Sequence, residues 1–276
     1  MQGDITTKTV GKTRLKRLVC VMLAAGSLGA GLTAAPAHAF TGVRNRPVLM
    51  IHGYNPTSNS TDCAADFSQM ITQMQAEGYT GPFVKVGFYS GDVNCNVNLR
   101  NYGSFSNSSS WKLIAKAFST YVYNTYTVNG QTVDVVGYSM GGLIARGAVY
   151  GASNGQSGFS APIKVEDGVT LGTPHNGAAW YSALCLWGQC TSLKPGATDI
   201  TWLNGNGNPQ GVGGTDWTTV GSIDDAVTPS ASAAYMTLPS TNKVTYSGVS
   251  HTGSTNYMHQ SVVITRADEA LANISQ

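Results

Sequence analysis

The sequence predicts an α/β fold, a mostly parallel central sheet with helices on both faces. Three observations lead there. Short runs of apolar, often β-branched residues alternate with segments whose apolar residues recur at helical spacing. The runs carry few polar positions, as strands covered on both faces must. One run, Val133-Asp134-Val135-Val136, leads through Gly137-Tyr138-Ser139-Met140-Gly141 directly into a helical segment.

Pro47-Val48-Leu49-Met50-Ile51 reads as a buried strand. Residues 63–76 set Ala64, Phe67, Met70, Ile71 and Met74 at helical spacing, with Thr61 or Asp62 near the cap. Phe83 to Phe88 is strand-like. Ser109 or Ser110 caps a helix carrying Trp111, Ile114, Ala115, Phe118 and Tyr121. After the strand at 133–136, a helix runs from about Met140 to Tyr150. Val165 to Leu171, Trp217 to Val220 and Val244 to Tyr246 are further strands. Residues 257–272 close the chain as a helix through Val262, Val263, Ala267 and Leu271. The stretch 176–212 breaks the rhythm: it holds Cys185, Cys190, Pro195 and a Gly/Asn-rich run. It reads as a long excursion from the sheet, suited equally to a binding loop or lid and to passive decoration.

Composition narrows the class. Of 276 residues only 11% are charged and 42% are hydrophobic, which excludes a charge-rich disordered chain. Five of the 16 basic residues but one of the 14 acidic residues lie in 1–39, so the rest is net acidic. No Lys/Arg cluster follows residue 46, which argues against a nucleic-acid partner. The first 39 residues read as an address: a basic region to Lys16-Arg17, small apolar residues to about Ala35, then Ala37-His38-Ala39. The expectation is a signal peptide removed after Ala39 and one secreted domain over 40–276. Gly26, Ser27, Gly29, Gly31 and Thr33 dilute the apolar stretch against a retained transmembrane anchor. Four later cysteines in an exported chain suggest two disulfides. Cys63–Cys95 and Cys185–Cys190 are favoured among three pairings because local loops close most easily. The histidines after residue 39 do not interleave with these cysteines at zinc spacing, and no cofactor is implied. A structural Ca²⁺ would leave little trace in such a sequence.

The junction at 137–141 matches a nucleophile elbow, in which flanking glycines let a tight turn lift a serine hydroxyl above the sheet at a helix N-terminus. A serine hydroxyl needs a base within hydrogen-bond reach and a group to orient that base. Of His175, His251 and His259, only His251 lies in a loop after the last strand and before the last helix. His175 precedes every good acid candidate, and His259 falls inside the C-terminal helix pattern. Asp224 and Asp225 both follow the strand at 217–220; Asp225 is preferred and Asp224 left as the alternative. Asp199 and Asp216 precede a strand. Backbone N–H donors for a developing oxyanion are expected at Met140, after the nucleophile, and at Tyr54, in the loop opened by His52-Gly53. His52 reads as structural. Tyr54, Tyr138, Met140 and Leu143 either line an acyl pocket or fill ordinary core.

Together the segments 48–54, 135–146, 169–177, 220–227 and 248–253 resemble the small secreted bacterial triacylglycerol lipases of the lipase class 2 family. That resemblance implies a minimal α/β-hydrolase fold. It implies Ser139 as nucleophile, Asp225 as acid and His251 as base, with an oxyanion hole at Tyr54 and Met140. Its smallest members lack the 176–212 excursion and the four cysteines. The reading is a secreted, monomeric serine ester hydrolase that meets acylglycerols or other esters at an oil–water interface. A short-chain carboxylesterase, a polyester depolymerase and an acyltransferase would use the same triad. A non-catalytic binding protein would ordinarily lack a triad member, and none is missing here.

Overall fold

Side chains of a β-strand alternate between the two faces of its sheet, so a strand buried on both faces feeds two cores at once. Strand β1 (Val48–Ile51) does this: Leu49 and Ile51 join one apolar cluster, Val48 and Met50 the other. The computed structural model describes residues 42–56, 58–179 and 187–273. These belong to one compact unit, Phe40–Gln276. The expected signal peptide lies outside the described residues.

Helix α1 (Cys63–Ala76) starts where the Asp62 side chain accepts from the Ala64 and Ala65 amides. It buries Phe67, Met70 and Met74 against the sheet. Strands β2 (Phe83–Gly87) and β3 (Val97–Asn98) follow. Helix α2 (Trp111–Thr125) is capped by Ser110. Strand β4 (Val133–Tyr138) runs into helix α3 (Met140–Ser153), which is buried along nearly its whole length. After β5 (Val165–Leu171) come the short helices α4 (Gly188–Thr191) and α5 (Thr198–Leu203). Then follow β6 (Asp216–Ser222), the one-turn helix α6 (Ser230–Ala233), β7 (Lys243–Tyr246) and α7 (Ser261–Leu271). Among the described residues the sheet has seven strands in the order β3-β2-β1-β4-β5-β6-β7, and every pairing is parallel. Helices α2 and α3 cover one face; α1 and α7 cover the other. This is the α/β-hydrolase architecture the sequence predicts.

One reading needs correction. The final helix begins at Ser261, not 257. The Asn256 side chain accepts from the Met258 amide and closes a separate 3₁₀ turn over Tyr257–His259, which drives Tyr257 and Met258 into the core. The excursion at 176–212 leaves the sheet between β5 and β6 as expected, and part of it packs into the core. Leu193, Ile200 and Leu203 join the core beside α3. Arg146 of that helix donates to Asn204 Oδ1 at 3.0 Å and to the Asn206 carbonyl at 2.8 Å. Residues 180–186, part of the segment expected as a binding loop or lid, lie outside the described residues. The Cys63–Cys95 disulfide forms as expected, closing a separation of 32 residues. Cys190 is disulfide-bonded, and its expected partner Cys185 lies outside the described residues.

Candidate active site

In a parallel sheet all strands present their C-terminal ends at one edge. The register pairs Ile51 with Gly137, so the loops after β1 and β4 emerge side by side. The loop after β6 opens at the same edge.

Ser139 sits between β4 and α3 with φ 52° and ψ −122°, a strained conformation for a non-glycine residue. The turn survives because its neighbours lack side chains. A Cβ on Gly141 would lie 2.1 Å from the Ile51 carbonyl oxygen. A Cβ on Gly53 would lie 3.0 Å from the Ser139 Cβ. The loop 52–54 is therefore pressed against the serine, and Met140, the first residue of α3, follows it directly.

His251 Nε2 lies 2.9 Å from Ser139 Oγ, and His251 Nδ1 lies 2.8 Å from Asp225 Oδ2. An ionised carboxylate only accepts hydrogen bonds. The imidazole proton therefore sits on Nδ1, and the Nε2 lone pair faces the serine hydroxyl. Burial pushes the Asp225 pKa up. Hydrogen bonds from His251, the Thr228 amide and the Tyr257 hydroxyl outweigh it and hold the carboxyl below its ordinary range. Oδ1 accepts from the Val227 and Thr228 amides at 2.8 Å each, and Tyr257 donates to Oδ2 at 2.8 Å. The Tyr138 hydroxyl donates to the His251 carbonyl.

The other candidates are elsewhere. Asp224 is exposed and accepts from the Gly248 amide at 2.6 Å, bracing the loop that carries His251. His259 lies in the 3₁₀ turn, its carbonyl taken by Gln69. His175 is fully buried against Thr170 and Arg146, and burial and the arginine hold its pKa well below the usual value. Met140 and Leu143 are core. Tyr54 and Val227 are partly buried and pack on a small apolar cluster of Ala178 and Cys190, and Tyr54 also packs on the core.

His52 supports the loop, as its position suggested. Its ring is buried, stacks on Phe88 and lies 3.0 Å from Asp92 Oδ2. Asp92 also accepts from the Thr61, Phe88 and Tyr89 amides at 2.7 Å each. Sequence reasoning missed Asp92, which looks like any loop aspartate, and Tyr257, which was hidden in the expected helix. Among the described residues no group of three or more His, Cys, Asp or Glu side chains is placed to hold a metal ion. None of their helices is long and apolar enough to cross a membrane.

Residues 42–186 match the family of PGAP1-like alpha/beta domains. No curated protein sequence matches the chain significantly. Among solved structures, Bacillus licheniformis lipase BlEst2 in mature form is 16% identical with a TM-score of 0.50, over 75% of this chain and 85% of that one. Phospholipase PlaB from Legionella pneumophila is 14% identical with a TM-score of 0.55, over 82% of this chain and 59% of that one. Aspergillus fumigatus lipase B is 15% identical with a TM-score of 0.52, over 82% of this chain and 52% of that one. This chain thus spans little more than half of the last two proteins. At such identities the likeness concerns the fold.

Proposed function

The chain belongs to the family of PGAP1-like alpha/beta domains, and from that premise we propose that it is a serine hydrolase of carboxylic esters. The observation that carries the reading is the continuous hydrogen-bonded line from Asp225 through His251 to Ser139 on a strained elbow. Ser139 Oγ attacks the ester carbonyl while His251 Nε2 takes its proton. Asp225 holds the imidazole in the required tautomer and stabilises the imidazolium. The Tyr54 and Met140 amides receive the oxyanion. His251 then protonates the departing alcohol oxygen, and water hydrolyses the acyl-enzyme by the same route in reverse.

The finer reading is a secreted lipase of class 2 type acting on acylglycerols. Its support is the set of five shared segments and the leader-like residues 1–39. The test is hydrolysis of p-nitrophenyl esters from acetyl to palmitoyl and of emulsified triolein, beside Ser139→Ala. Turnover of palmitoyl ester and triolein, lost in the variant, supports the lipase. Turnover of short esters alone leaves an esterase. A folded protein without turnover of any ester contradicts the reading.

A further inference from the structure

We propose that an acidic cleft beside Ser139 is the alcohol-side subsite of this hydrolase, and that Asp66 makes it favour esters of cationic alcohols over neutral ones and neutral over anionic ones. The inference rests on the ester-hydrolase reading.

The two sides of the serine differ in chemistry. The apolar cluster of Ala178, Cys190, Tyr54 and Val227 adjoins the core under α2 and α3 through Tyr54, which packs on both. Over the face that carries α1 and α7 opens a cleft of about 380 Å³. Its inner end is Gly53 and Tyr138, neighbours of the reacting atoms, and Thr252 and Gly253 follow His251 along its wall. The rest of the lining is mixed: Asn55, Ser60, Thr61 and Asn256 stand beside Tyr54, Pro56 and Met258. An acyl chain gains by burying apolar area and gains less on a wall that also carries carboxylates. The apolar side suits the acyl chain, which leaves the acidic cleft for the alcohol.

Charge sets the preference. Among the described residues the lining holds Asp62 and Asp66 but no Lys or Arg. Asp62 sits at the surface and is occupied by the Ala64 and Ala65 amides and by Asn94. Asp92, behind the wall, already accepts from His52 and three amides. The Asp66 carboxylate differs: it accepts no hydrogen bond from a described residue. Burial raises its pKa, with Asp62 and Asp92 adding to the rise and His52 and His259 opposing it. A half-buried carboxylate without donors gains from a cation or donor supplied by a ligand, whereas a second anion there is repelled.

The experiment compares esters of one acyl group: butyrylcholine, ethyl butyrate and O-butyryl glycolate. For the wild-type chain, kcat/KM should fall in that order, with cationic over anionic ester by about tenfold or more. Asp66→Asn removes the charge and keeps the shape. The ratio of butyrylcholine to O-butyryl glycolate, taken within each protein, should fall about tenfold in the variant. A wild-type ratio near one overturns the proposal even if the variant does not fold. An unchanged ratio in a variant that hydrolyses ethyl butyrate overturns the role of Asp66. Absence of turnover of all three esters and of p-nitrophenyl butyrate by wild type fails the hydrolase reading itself, and the proposal with it.

Discussion

Asp224 and Asp225 are neighbours in the chain and turn to different tasks. One braces the Gly248 amide at the surface; the other is buried and meets His251, Tyr257 and two amides. The sequence confined the proposed acid to this pair but left the choice to preference, because both follow the same strand. The deciding groups, Tyr257 and the amides of Val227 and Thr228, come from tertiary packing. The two aspartates should separate cleanly in kinetics. Asp225→Asn removes the acceptor that fixes the tautomer, and kcat should fall by about 10⁴. Asp224→Ala should lower stability by about 1 kcal/mol, the worth of one hydrogen bond, with kcat/KM within about threefold of wild type. Thermal unfolding and ester hydrolysis on the same preparations check both.

Elements were legible where both faces are covered. β5 spans the residues expected of it, 165–171, and α1 matches its apolar spacing because one face alone packs. The excursion was harder to read. Leu193, Ile200 and Leu203 are buried, yet turns and polar residues separate them, so no single period connects them. The two-residue strand β3 carries too few positions for any pattern. It lies just after Cys95, whose bond to Cys63 ties this edge to the start of α1. On the chain-entropy argument that bond contributes about 3–4 kcal/mol. Cys63→Ser with Cys95→Ser should lower stability by that amount in urea unfolding, and an unchanged midpoint would show the edge holds without it.

Across the whole molecule the parallel sheet separates two tasks. Its C-terminal edge gathers residues 52–54, 139–140, 225 and 251. Near its N-terminal edge a buried ionic cluster joins the first described segment to the sheet and to α7. Arg46 contacts both Asp134 and Asp167, and Arg44 pairs with Asp268. One arginine between two carboxylates leaves an excess of buried negative charge. Burial, then the neighbouring Asp134, pushes the Asp167 pKa up to about 8, and burial pushes Asp134 to about 6 against the pull of Arg46. The Asp167 Oδ1 atom is buried without a hydrogen-bond partner among the described residues. The folded chain therefore holds this proton more tightly than the unfolded chain does, with a reference value of 3.8. The contribution of this proton is complete below about pH 4 and is lost as pH rises from there through about 8. Asp167→Asn should flatten that decline and stabilise the protein at pH 9 by about 1–2 kcal/mol. Urea unfolding at pH 5 and pH 9 measures it, and a parallel pH dependence in both proteins would place the titration elsewhere.

The central claim is that Ser139 is an activated nucleophile. A serine-reactive phosphonate, followed by peptide mass spectrometry, tests it most directly. The account predicts one adduct, on Ser139, absent in Ser139→Ala and formed far more slowly in His251→Ala. A folded protein that stays unlabelled, or carries the adduct on another residue, would contradict it.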